Sequence, residues 1–588
     1  MKNGSVLVIF TEKIPRKAQE WWRQFDVVVA PRRLESMVQG YRLVFVDIEN
    51  LTEPGSIYEA SSFLEELSYL KLADGSRLAK SFTYEGYELW WTHYSDLFFY
   101  FCLPYTQYKK LLEYLKVFQG VYFYRPPYRS LFSCYLRAYG CEINILSKPG
   151  IKSPSFLPFG VILQIFITFL CLPILMIQKR RVMLFTGDKF EKDKDYDFRM
   201  KFIYEELREK DIPFVEFIRS LESWRTILEH AWKRRRAVIY PEAVAFVGRF
   251  ASILSGGHAL ARQKFGAHTF VSEKNPEVLF KLSVATQYLL GVYDDIWAVR
   301  IMKWILRVIG VKVAIVTAAM ERNFHAVLGC KLNAIPTVGI LHGAHSRHYN
   351  VYDFMLGFDG EKMLSVDKYG LWSEWWQSHF REYSRAYKPE QLYISGPMRP
   401  LLKSDGVKTF SEAPRGPVRV LFVSEEMAVP REVLPYLHEL LKQKNIELTI
   451  KFRPYRDGFE QWLLEHEPGI LKQNNLTIIK GSMQDAIRNA DVTVGCQSTG
   501  VLESLLQLKV PIYFRTRKWG DYYNLKEYDK KHSFFAENPE ELIEKIQNVR
   551  SVPINTLKDL RERYFGDPYQ NGSKWVVEQA EKILRRTP

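Results

Sequence analysis

Short apolar runs alternate with helix-like segments along most of the chain. In the first part, runs rich in β-branched residues occur at 5–10, 26–30 and 42–47. Each run is too short for a helix, and the stretches between them are long enough to hold one. The alternation predicts parallel strands with helical crossovers, so 1–150 is interpreted as an accessory α/β region. The aromatic-rich segment 87–105 is predicted either as its core or as a lipid-facing surface.

The same pattern repeats in two further blocks after residue 180. The first block has strand-like runs at 181–188, 212–218, 236–243, 311–318 and 336–343, with helix-like segments at 197–210 and 244–308. The second block has strand-like runs at 418–426, 447–455, 476–481, 492–500 and 510–514, and it ends with a helix at 574–586. Segments 391–401 and 404–417 are interpreted as a linker between the blocks. The chain therefore predicts two Rossmann-like domains, 181–403 and 404–588, with a ligand cleft at the carboxyl ends of both sheets.

An uncharged apolar segment at 156–177 separates the accessory region from the first of these domains. A helix of this length crosses a bilayer core of about 30 Å. The basic sequence QKRR at 178–181 follows it, as is usual on the cytoplasmic side of a membrane. Two prolines and Gln164 interrupt it, so a single span, a bent helix in one leaflet and a buried helix are all considered. We predict that 151–180 associates with the cytoplasmic face of the cell membrane.

The chain of 588 residues has a formal net charge of +15, which attracts anionic partners. Its basic residues lie in short scattered runs, and the sequence contains no zinc-finger, basic-zipper or RRM pattern. Nucleic acid is therefore not predicted as a partner. The six cysteines form no CxxC pair, and the N-terminus has no signal-peptide pattern, which together favour a reduced, cytosolic environment.

The stretch 491–514 contains the strongest indication of a binding site. An apolar strand runs into a small polar turn, Gln497, Ser498 and Thr499, where a helix is predicted to begin. Bare backbone amides and hydroxyl groups at a helix N-terminus bind phosphate. Glu503, one turn later, is placed to accept hydrogen bonds from ribose hydroxyls, and Arg453 at the end of another strand adds positive charge. The alternatives are an ordinary helix cap and a basic surface loop.

Three histidines, His342, His345 and His348, follow the last strand of the first block. No Cys pair or HExxH motif completes a zinc site, so no metal is predicted. His342 is the preferred candidate for a general base, because imidazole exchanges protons near neutral pH. Glu321 and Glu242, each after a predicted strand, are further candidate bases. The alternative for the histidines is a structural loop end.

Four segments resemble a known family: IPTVGILHG (335–343), YGLWSEWWQSHFREYSRAYKPEQLYISGPMR (369–399), GCQSTGVLESLLQLKVPIYF (495–514) and DPYQNGSKWVVEQAEKIL (567–584). They are similar to GT-B glycosyltransferases of the bacterial surface and capsular polysaccharide group, related to polysialyltransferases and CDP-glycerol glycerophosphotransferases. The resemblance covers roughly 310–588 and leaves the first 150 residues outside. It implies a nucleotide-sugar donor on the C-terminal domain, an acceptor on the N-terminal side, and neither a cofactor nor an obligatory metal.

The resemblance also implies roles for single residues. Ser498 and Thr499 match the positions that hold the donor phosphates, Glu503 the position for the ribose, and His342 the histidine of an HG motif. One departure stands out: where relatives carry His-Pro, this chain has Arg453-Pro454. Acid catalysis at that position is therefore in doubt, whereas an arginine can still neutralise a leaving phosphate.

These observations together predict a membrane-associated glycosyltransferase that moves a sugar from a nucleotide-sugar to a lipid-linked or surface glycan acceptor. Two alternatives share the fold, a CDP-alditol phosphotransferase and a UDP-sugar 2-epimerase. A third belongs to a different class, a non-catalytic scaffold that binds glycan or lipid. Product formation separates the three enzymes from one another and from the scaffold.

Overall fold

The computed structural model describes residues 3–14, 21–146, 159–178, 181–190, 195–234, 236–266, 273–316, 324–349, 353–401, 416–425, 428–453, 457–526 and 534–586. Within this part of the chain, three parallel sheets are each surrounded by helices. The α/β fold class predicted from the sequence is confirmed.

The accessory region forms a five-stranded sheet in the order β3-β2-β1-β6-β7. Its strands are β1 (Asn3–Ile9), β2 (Val27–Ala30), β3 (Val44–Asp47), β6 (Phe118–Tyr124) and β7 (Glu142–Ile145), with a small hairpin of β4 (Thr83–Tyr84) and β5 (Tyr87–Glu88). Its helices are α1 (Glu35–Val38), α2 (Ile57–Ser68), α3 (Tyr94–Leu97), α4 (Leu103–Leu115) and α5 (Arg129–Ala138). The first three strands were predicted, whereas β6 and β7 were not.

The aromatic-rich segment 87–105 belongs to the protein core. Trp90, Trp91 and Tyr94 are fully buried. The indole N–H of Trp90 donates to the carbonyl of Ala285 at 2.9 Å, which ties the accessory region to the next domain. Of the two interpretations of this segment, the core is correct and the lipid-facing surface is wrong.

The apolar segment forms one helix, α6 (Phe159–Gln178), which packs against α8 (Trp224–Arg234), α9 (Pro241–Leu254) and β10 (Val238–Ile239) of the next domain. Among the described helices, α6 alone is long and apolar enough to cross a membrane by itself. Helices α9 and α10, bent by 81° at their junction, reach that length and composition only as a pair.

The first Rossmann-like domain contains a seven-stranded sheet in the order β10-β9-β8-β11-β12-β13-β14. Its strands are β8 (Val182–Gly187), β9 (Phe214–Arg219), β10 (Val238–Ile239), β11 (Val313–Val316), β12 (Thr337–Ile340), β13 (Lys368–Leu371) and β14 (Leu392–Ile394). Its helices are α7 (Lys201–Glu209), α8 (Trp224–Arg234), α9 (Pro241–Leu254), α10 (Gly257–Phe265), α11 (Pro276–Ala285), α12 (Val292–Ile309), α13 (Phe324–Leu332) and α14 (Glu374–Tyr383). Five strands were predicted, and segment 391–401, interpreted as linker, in fact contains β14. This edge strand is short and exposes two of its three residues, so it has no continuous apolar run.

The second Rossmann-like domain contains a six-stranded sheet in the order β17-β16-β15-β18-β19-β20. Its strands are β15 (Val418–Val423), β16 (Ile446–Lys451), β17 (Leu476–Ile479), β18 (Val492–Gly495), β19 (Val510–Phe514) and β20 (Phe535–Ala536). Its helices are α15 (Pro430–Lys442), α16 (Gly458–His466), α17 (Met483–Arg488), α18 (Thr499–Leu502), α19 (Pro539–Gln547) and α20 (Ile554–Phe565). The two Rossmann-like sheets are the layout predicted as the GT-B arrangement.

The last helix, α21 (Gly572–Arg586), returns to the first Rossmann-like domain. Val576, Val577 and Ala580 pack in one apolar cluster with residues of β8, β11 and β12. Lys210 and Glu581 form an ion pair at 3.0 Å across the same junction. The segment predicted as the domain 404–588 therefore contributes its final helix to the core of the preceding domain.

Strand order marks where a ligand is expected. In the second Rossmann-like sheet the order reverses between β15 and β18, which lie side by side in parallel. Open α/β sheets bind ligands in the crevice at the carboxyl ends of the strands at such a reversal. A ligand is therefore expected at the loops after β15 and β18.

Candidate active site between the two Rossmann-like domains

The loop after β12 rests on the turn after β18, so the carboxyl ends of the two Rossmann-like sheets meet. The backbone N–H of Ala344 donates to the Thr499 hydroxyl oxygen at 3.0 Å. The backbone N–H of Ser346 donates to the Tyr522 hydroxyl at 3.0 Å. The structure thus brings the histidine loop and the predicted donor turn together, although they lie in different domains.

The turn after β18 is held by side chains on its inner side. Ser498 is the N-cap of α18, and its hydroxyl accepts the backbone N–H of Gly500 at 3.2 Å. The Tyr523 hydroxyl donates to the carbonyl of Gln497 at 3.0 Å, and the Tyr513 hydroxyl donates to the carbonyl of Ser498 at 2.9 Å. These contacts fix the direction in which the backbone amides of the turn point.

Two of those amides are already bonded within the protein. One oxygen of the Glu425 carboxylate accepts the backbone N–H of Gln497 at 2.6 Å and that of Ser498 at 2.5 Å. Its other oxygen accepts the Cys496 thiol at 3.3 Å. The prediction that this turn offers bare amides is therefore wrong for Gln497 and Ser498. The cause is strand order: β15 lies beside β18, so a residue just after β15 reaches the turn after β18.

Glu425 is buried, and its surroundings act on its charge in opposite directions. Burial is the largest influence and raises the pKa of its carboxyl group. The two backbone N–H groups and the positive charge of Arg453 oppose this effect by favouring the carboxylate. Lys518 lies near the same group, and burial lowers the pKa of its amine while Cys496 and Glu425 oppose that change. The predicted donor residue Arg453 therefore belongs to a charged cluster around Glu425.

Glu503, predicted to hold a ribose, is buried at the same junction. Arg399 lies after β14, and its guanidinium is 3.1 Å from the Glu503 carboxylate. The Arg399 side chain is 38% exposed, so turning it toward a ligand would not open a cavity in the protein core. Arg399 ends the segment 369–399 that resembles the family, and no role is predicted for it from the sequence.

His342 lies at the start of the loop that contacts the donor turn. Its Nδ1 atom is buried and has no hydrogen-bond partner among the residues that the structure describes. Burial lowers the pKa of its imidazole to about 3, and the positive charge of Arg199 and the neighbouring His345 act in the same direction. The imidazole is therefore neutral at physiological pH, and the burial that lowers its pKa also makes it a weaker base than a free imidazole.

The other two histidines of the loop engage different partners. His345 Nδ1 is 2.8 Å from a carboxylate oxygen of Asp353, whose other oxygen accepts the Tyr387 hydroxyl at 3.1 Å. The ring of His348 lies 4.4 Å from the ring of Tyr58 in the accessory region. Because their rings point to separate partners, these histidines do not converge on one point. Among the described residues, no group of three or more potential ligands is arranged to hold a metal ion.

Two glutamates are proposed from the sequence as further bases, and the structure describes one of them. Glu321 lies outside the described residues. Glu242 begins α9 after β10, and its carboxylate lies 4.0 Å from the Arg219 guanidinium at the end of β9. Strand β10 is an edge strand, four positions from β12 in the sheet. The sheet order therefore places Glu242 apart from the His342 loop.

No protein-family model matches the chain, and no curated protein sequence matches it. Several solved structures share its fold in part. A glycosyltransferase from Rickettsia africae ESF-5 is 11% identical with a TM-score of 0.37, covering 69% of this chain and 99% of that one. A UDP-GlcNAc 2-epimerase from Neisseria meningitidis bound to UDP-GlcNAc is 10% identical with a TM-score of 0.39, covering 68% and 99%. A spinosyn rhamnosyltransferase complexed with spinosyn aglycone is 11% identical with a TM-score of 0.38, covering 68% and 100%.

Proposed function

We propose that the chain is a GT-B glycosyltransferase that moves a sugar from a nucleotide-sugar to an acceptor hydroxyl. The observation that carries this proposal is the contact between Ala344 and Thr499. It brings the loop that begins at His342 onto the polar turn at the strand reversal of the other domain. A proton acceptor on one side and a cationic, hydroxyl-bearing crevice on the other are what displacement at an anomeric carbon requires.

In this proposal each residue has a defined task. The acceptor oxygen attacks the anomeric carbon, its proton passes to His342, and the bond between the sugar and the diphosphate breaks. The guanidinium groups of Arg399 and Arg453 neutralise the charge that develops on the leaving nucleotide diphosphate. Glu503 accepts hydrogen bonds from the ribose hydroxyls through the carboxylate lone pairs that Arg399 leaves free, and Arg399 turns to the phosphates when a diphosphate is bound. Because these cations carry the charge, we propose that no metal ion and no cofactor are required.

Glu425 occupies the position that the donor phosphates would need in this proposal. Its carboxylate and a diphosphate are both anions, and both would accept the backbone N–H groups of Gln497 and Ser498. Only one of them can occupy that position. We therefore propose that Glu425 is protonated or moves aside when the donor enters, and that the hydroxyls of Ser498 and Thr499 then contact the phosphates.

The acceptor in this proposal is a lipid-linked or surface glycan at the cytoplasmic face of the cell membrane. The support is the apolar helix α6, which is joined to the first Rossmann-like domain, together with the net positive charge of the chain. The surface and capsular polysaccharide group remains the proposed family. Its resemblance lies in the four sequence segments already described.

One rival function has a specific observation in its favour. A non-catalytic scaffold that binds glycan or lipid would have no need of free amides in the donor turn. Glu425 fills that position, and the histidine of the family's His-Pro pair is replaced by Arg453. This rival predicts binding without turnover.

The test is a transfer assay with the full-length chain. UDP-, CMP- and GDP-sugars are each supplied with a lipid-linked glycan, and CDP-glycerol is included as a further donor. Sugar transfer with nucleotide release supports the proposal, whereas CMP release from CDP-glycerol indicates a phosphotransferase and conversion of a UDP-sugar without acceptor indicates an epimerase. Binding without any product supports the scaffold. Treatment with EDTA should leave the transfer rate unchanged.

A matched pair of variants ties the activity to the site. Arg399→Ala removes a cation at the junction of the two domains. Arg488→Ala removes a cation at the end of α17 that pairs with the exposed Asp485 at 2.8 Å. We expect the first variant to raise the KM for the donor and the second to leave it unchanged. Equal effects of both variants would count against the proposed location.

A further inference from the structure

Helix α6 has its polar side turned inward and its apolar side turned outward. One stripe of the helix packs on the first Rossmann-like domain, with Gln164 and Thr168 within it. The Gln164 amide donates to the carbonyl of Ser220 at 2.9 Å, and the Thr168 hydroxyl accepts the backbone N–H of Tyr240 at 3.1 Å. Exposed large apolar side chains occupy the opposite side: Phe159, Ile162, Phe166, Phe169, Leu170, Ile174, Met176 and Ile177.

Helix α8 presents a second apolar stripe. Trp224, Leu228 and Trp232 follow one another at intervals of four residues and therefore lie on one side of the helix. All three are exposed, Trp232 by 78%, and Leu221 just before the helix is exposed by 75%. We call these residues, together with the outward side of α6, the α6–α8 face.

The two helices point these surfaces in a common direction. Ile227 of α8 and Leu163 and Ile167 of α6 pack into the same small apolar cluster above β9 and β10. Two helices that cover one cluster side by side turn their opposite sides away from it. The α6–α8 face is thus one apolar surface with twelve exposed large apolar side chains, and contiguous apolar surfaces of this kind mark interaction sites.

The residues around this face indicate what covers it. Arg225 lies over the ring of Trp224 at 5.3 Å, and Lys233 follows Trp232. In sequence, three basic residues follow α6 directly, within 178–181. Exposed tryptophans bordered by arginine and lysine are typical of elements that lie at the interface of an anionic membrane. A second protein copy would gain nothing from these cations, because the copy would bring the same charges.

The attachment of α6 to the domain also decides its orientation. Its buried stripe runs from Gly160 to Leu175, almost the whole helix. If α6 spanned a bilayer, α8 would enter the hydrocarbon beside it, with the exposed pair Glu229 and Lys233. Charged side chains in that environment are strongly unfavourable. A helix that lies parallel to the membrane plane avoids this and still buries its outward residues.

We propose that the α6–α8 face docks the protein onto an anionic lipid bilayer, with α6 lying in the plane of one leaflet and crossing neither. This inference goes beyond the proposed transferase activity and does not depend on it. Membrane binding is measured without nucleotide-sugar, so either proposal can fail while the other stands. The face belongs to the domain that is proposed to hold the acceptor.

The experiment uses full-length protein and extruded vesicles of phosphatidylcholine alone or with 30% phosphatidylglycerol, separated by flotation. Phe166→Gln, Phe169→Gln and Leu170→Gln are combined in one variant, and all three positions point outward. The control variant combines Leu464→Gln, Ile478→Gln and Tyr569→Gln, exposed apolar positions far from the face in sequence. We expect stronger flotation with the anionic lipid, at least a tenfold loss in the first variant, and no loss in the control.

Three further results distinguish a membrane from a second protein copy as the partner of the face, and an in-plane α6 from a membrane-spanning one. Extraction of the bound protein by alkaline carbonate supports an in-plane helix, whereas retention in the vesicles would show a span and overturn the proposal. Failure to float with either lipid would also overturn it. Light scattering tests whether a second copy covers the face. If wild type is a dimer and the triple variant at Phe166, Phe169 and Leu170 is a monomer, the face is a dimer interface and the proposal is overturned. Circular dichroism checks that each variant is folded.

Discussion

The buried Glu425 carboxylate accepts a hydrogen bond from the backbone N–H of Ser498, where the adjacent strands β15 and β18 end. An incoming phosphate would need the same N–H group. Two anions cannot share it, because each repels the other in a buried setting where charge is poorly screened. The affinity of this turn for a nucleotide should therefore depend on the charge of Glu425.

Replacing Glu425 by glutamine tests that dependence. Glu425→Gln keeps the size of the side chain and removes its negative charge, so UDP should bind about tenfold more tightly, equivalent to about 1.4 kcal/mol. Isothermal titration calorimetry measures the change. Glu447→Gln, an exposed position on the neighbouring strand β16, is the matched control and should have no effect. Unchanged or weaker binding in Glu425→Gln would show that the phosphates bind elsewhere.

The same competition predicts a pH dependence. Burial raises the pKa of the Glu425 carboxyl group above its usual value of 4.5. As pH falls through the raised value, the carboxylate takes up a proton and stops competing, so affinity for the donor should rise. UDP-glucose is the suitable probe, because its diphosphate keeps a constant charge in this range. Binding that strengthens equally on acidification in wild type and in Glu425→Gln would contradict the role given to Glu425.

The donor turn shows what sequence alone could and could not predict. The runs 418–426 and 492–500 were identified because strands buried on both sides are continuously apolar. The cap at Ser498 followed from local chemistry. Glu425 was not identified, because it lies more than seventy residues away in the chain and meets the turn only through the strand order. A sequence pattern predicts elements well, but which loop faces which depends on how the strands are arranged.

The strands that were not predicted include β6, β7 and β13, and also the two short edge strands β14 and β20. Strands β14 and β20 are two or three residues long and lie at sheet edges. Strand β14 exposes two of its three residues, so it has no continuous apolar run, whereas β20 is buried but only two residues long, too short for a pattern to show. The polar residues on the inward side of α6 were also not recognised as a stripe from the sequence. Gln164 seemed to interrupt an apolar helix, whereas in the structure it anchors that helix to the domain.

His342 should be required for the chemical step. His342→Asn removes the proton acceptor while keeping a polar side chain, and loss of a general base typically lowers the rate by about 10²–10⁴-fold. Because burial and nearby positive charge lower the pKa of His342 to about 3, its protonation should cause no loss of kcat/KM between pH 5 and 8. His438→Asn, on the exposed side of α15, is the control. A full rate in His342→Asn would remove this residue from the mechanism.

Arg399 and Glu503 should affect different parts of the nucleotide. They form an ion pair in the free protein, and we propose that the ligand separates them. Glu503→Gln should weaken uridine and UDP by the same factor, about 3- to 10-fold, because both carry the ribose. Arg399→Ala should weaken UDP alone, because uridine has no phosphate. Calorimetry with the two ligands separates these outcomes, and a loss confined to UDP in Glu503→Gln would contradict the ribose assignment.

The accessory region should contribute to the stability of the second Rossmann-like domain. Gly520, in the loop after β19, has a φ of +55°, and a Cβ atom there would lie 2.8 Å from the ring of Tyr58 in α2. Gly520→Ala should therefore lower the free energy of unfolding by about 1–2 kcal/mol, through backbone strain and through the clash. Gly469→Ala is the control, because its φ is −65° and no atom lies within 4 Å of the added Cβ. Adding Tyr58→Ala removes the clash but not the strain, so in that background Gly520→Ala should cost less. Denaturant unfolding of the four variants measures this difference, and an equal cost of Gly520→Ala with and without Tyr58 would mean that α2 does not press on this loop in solution.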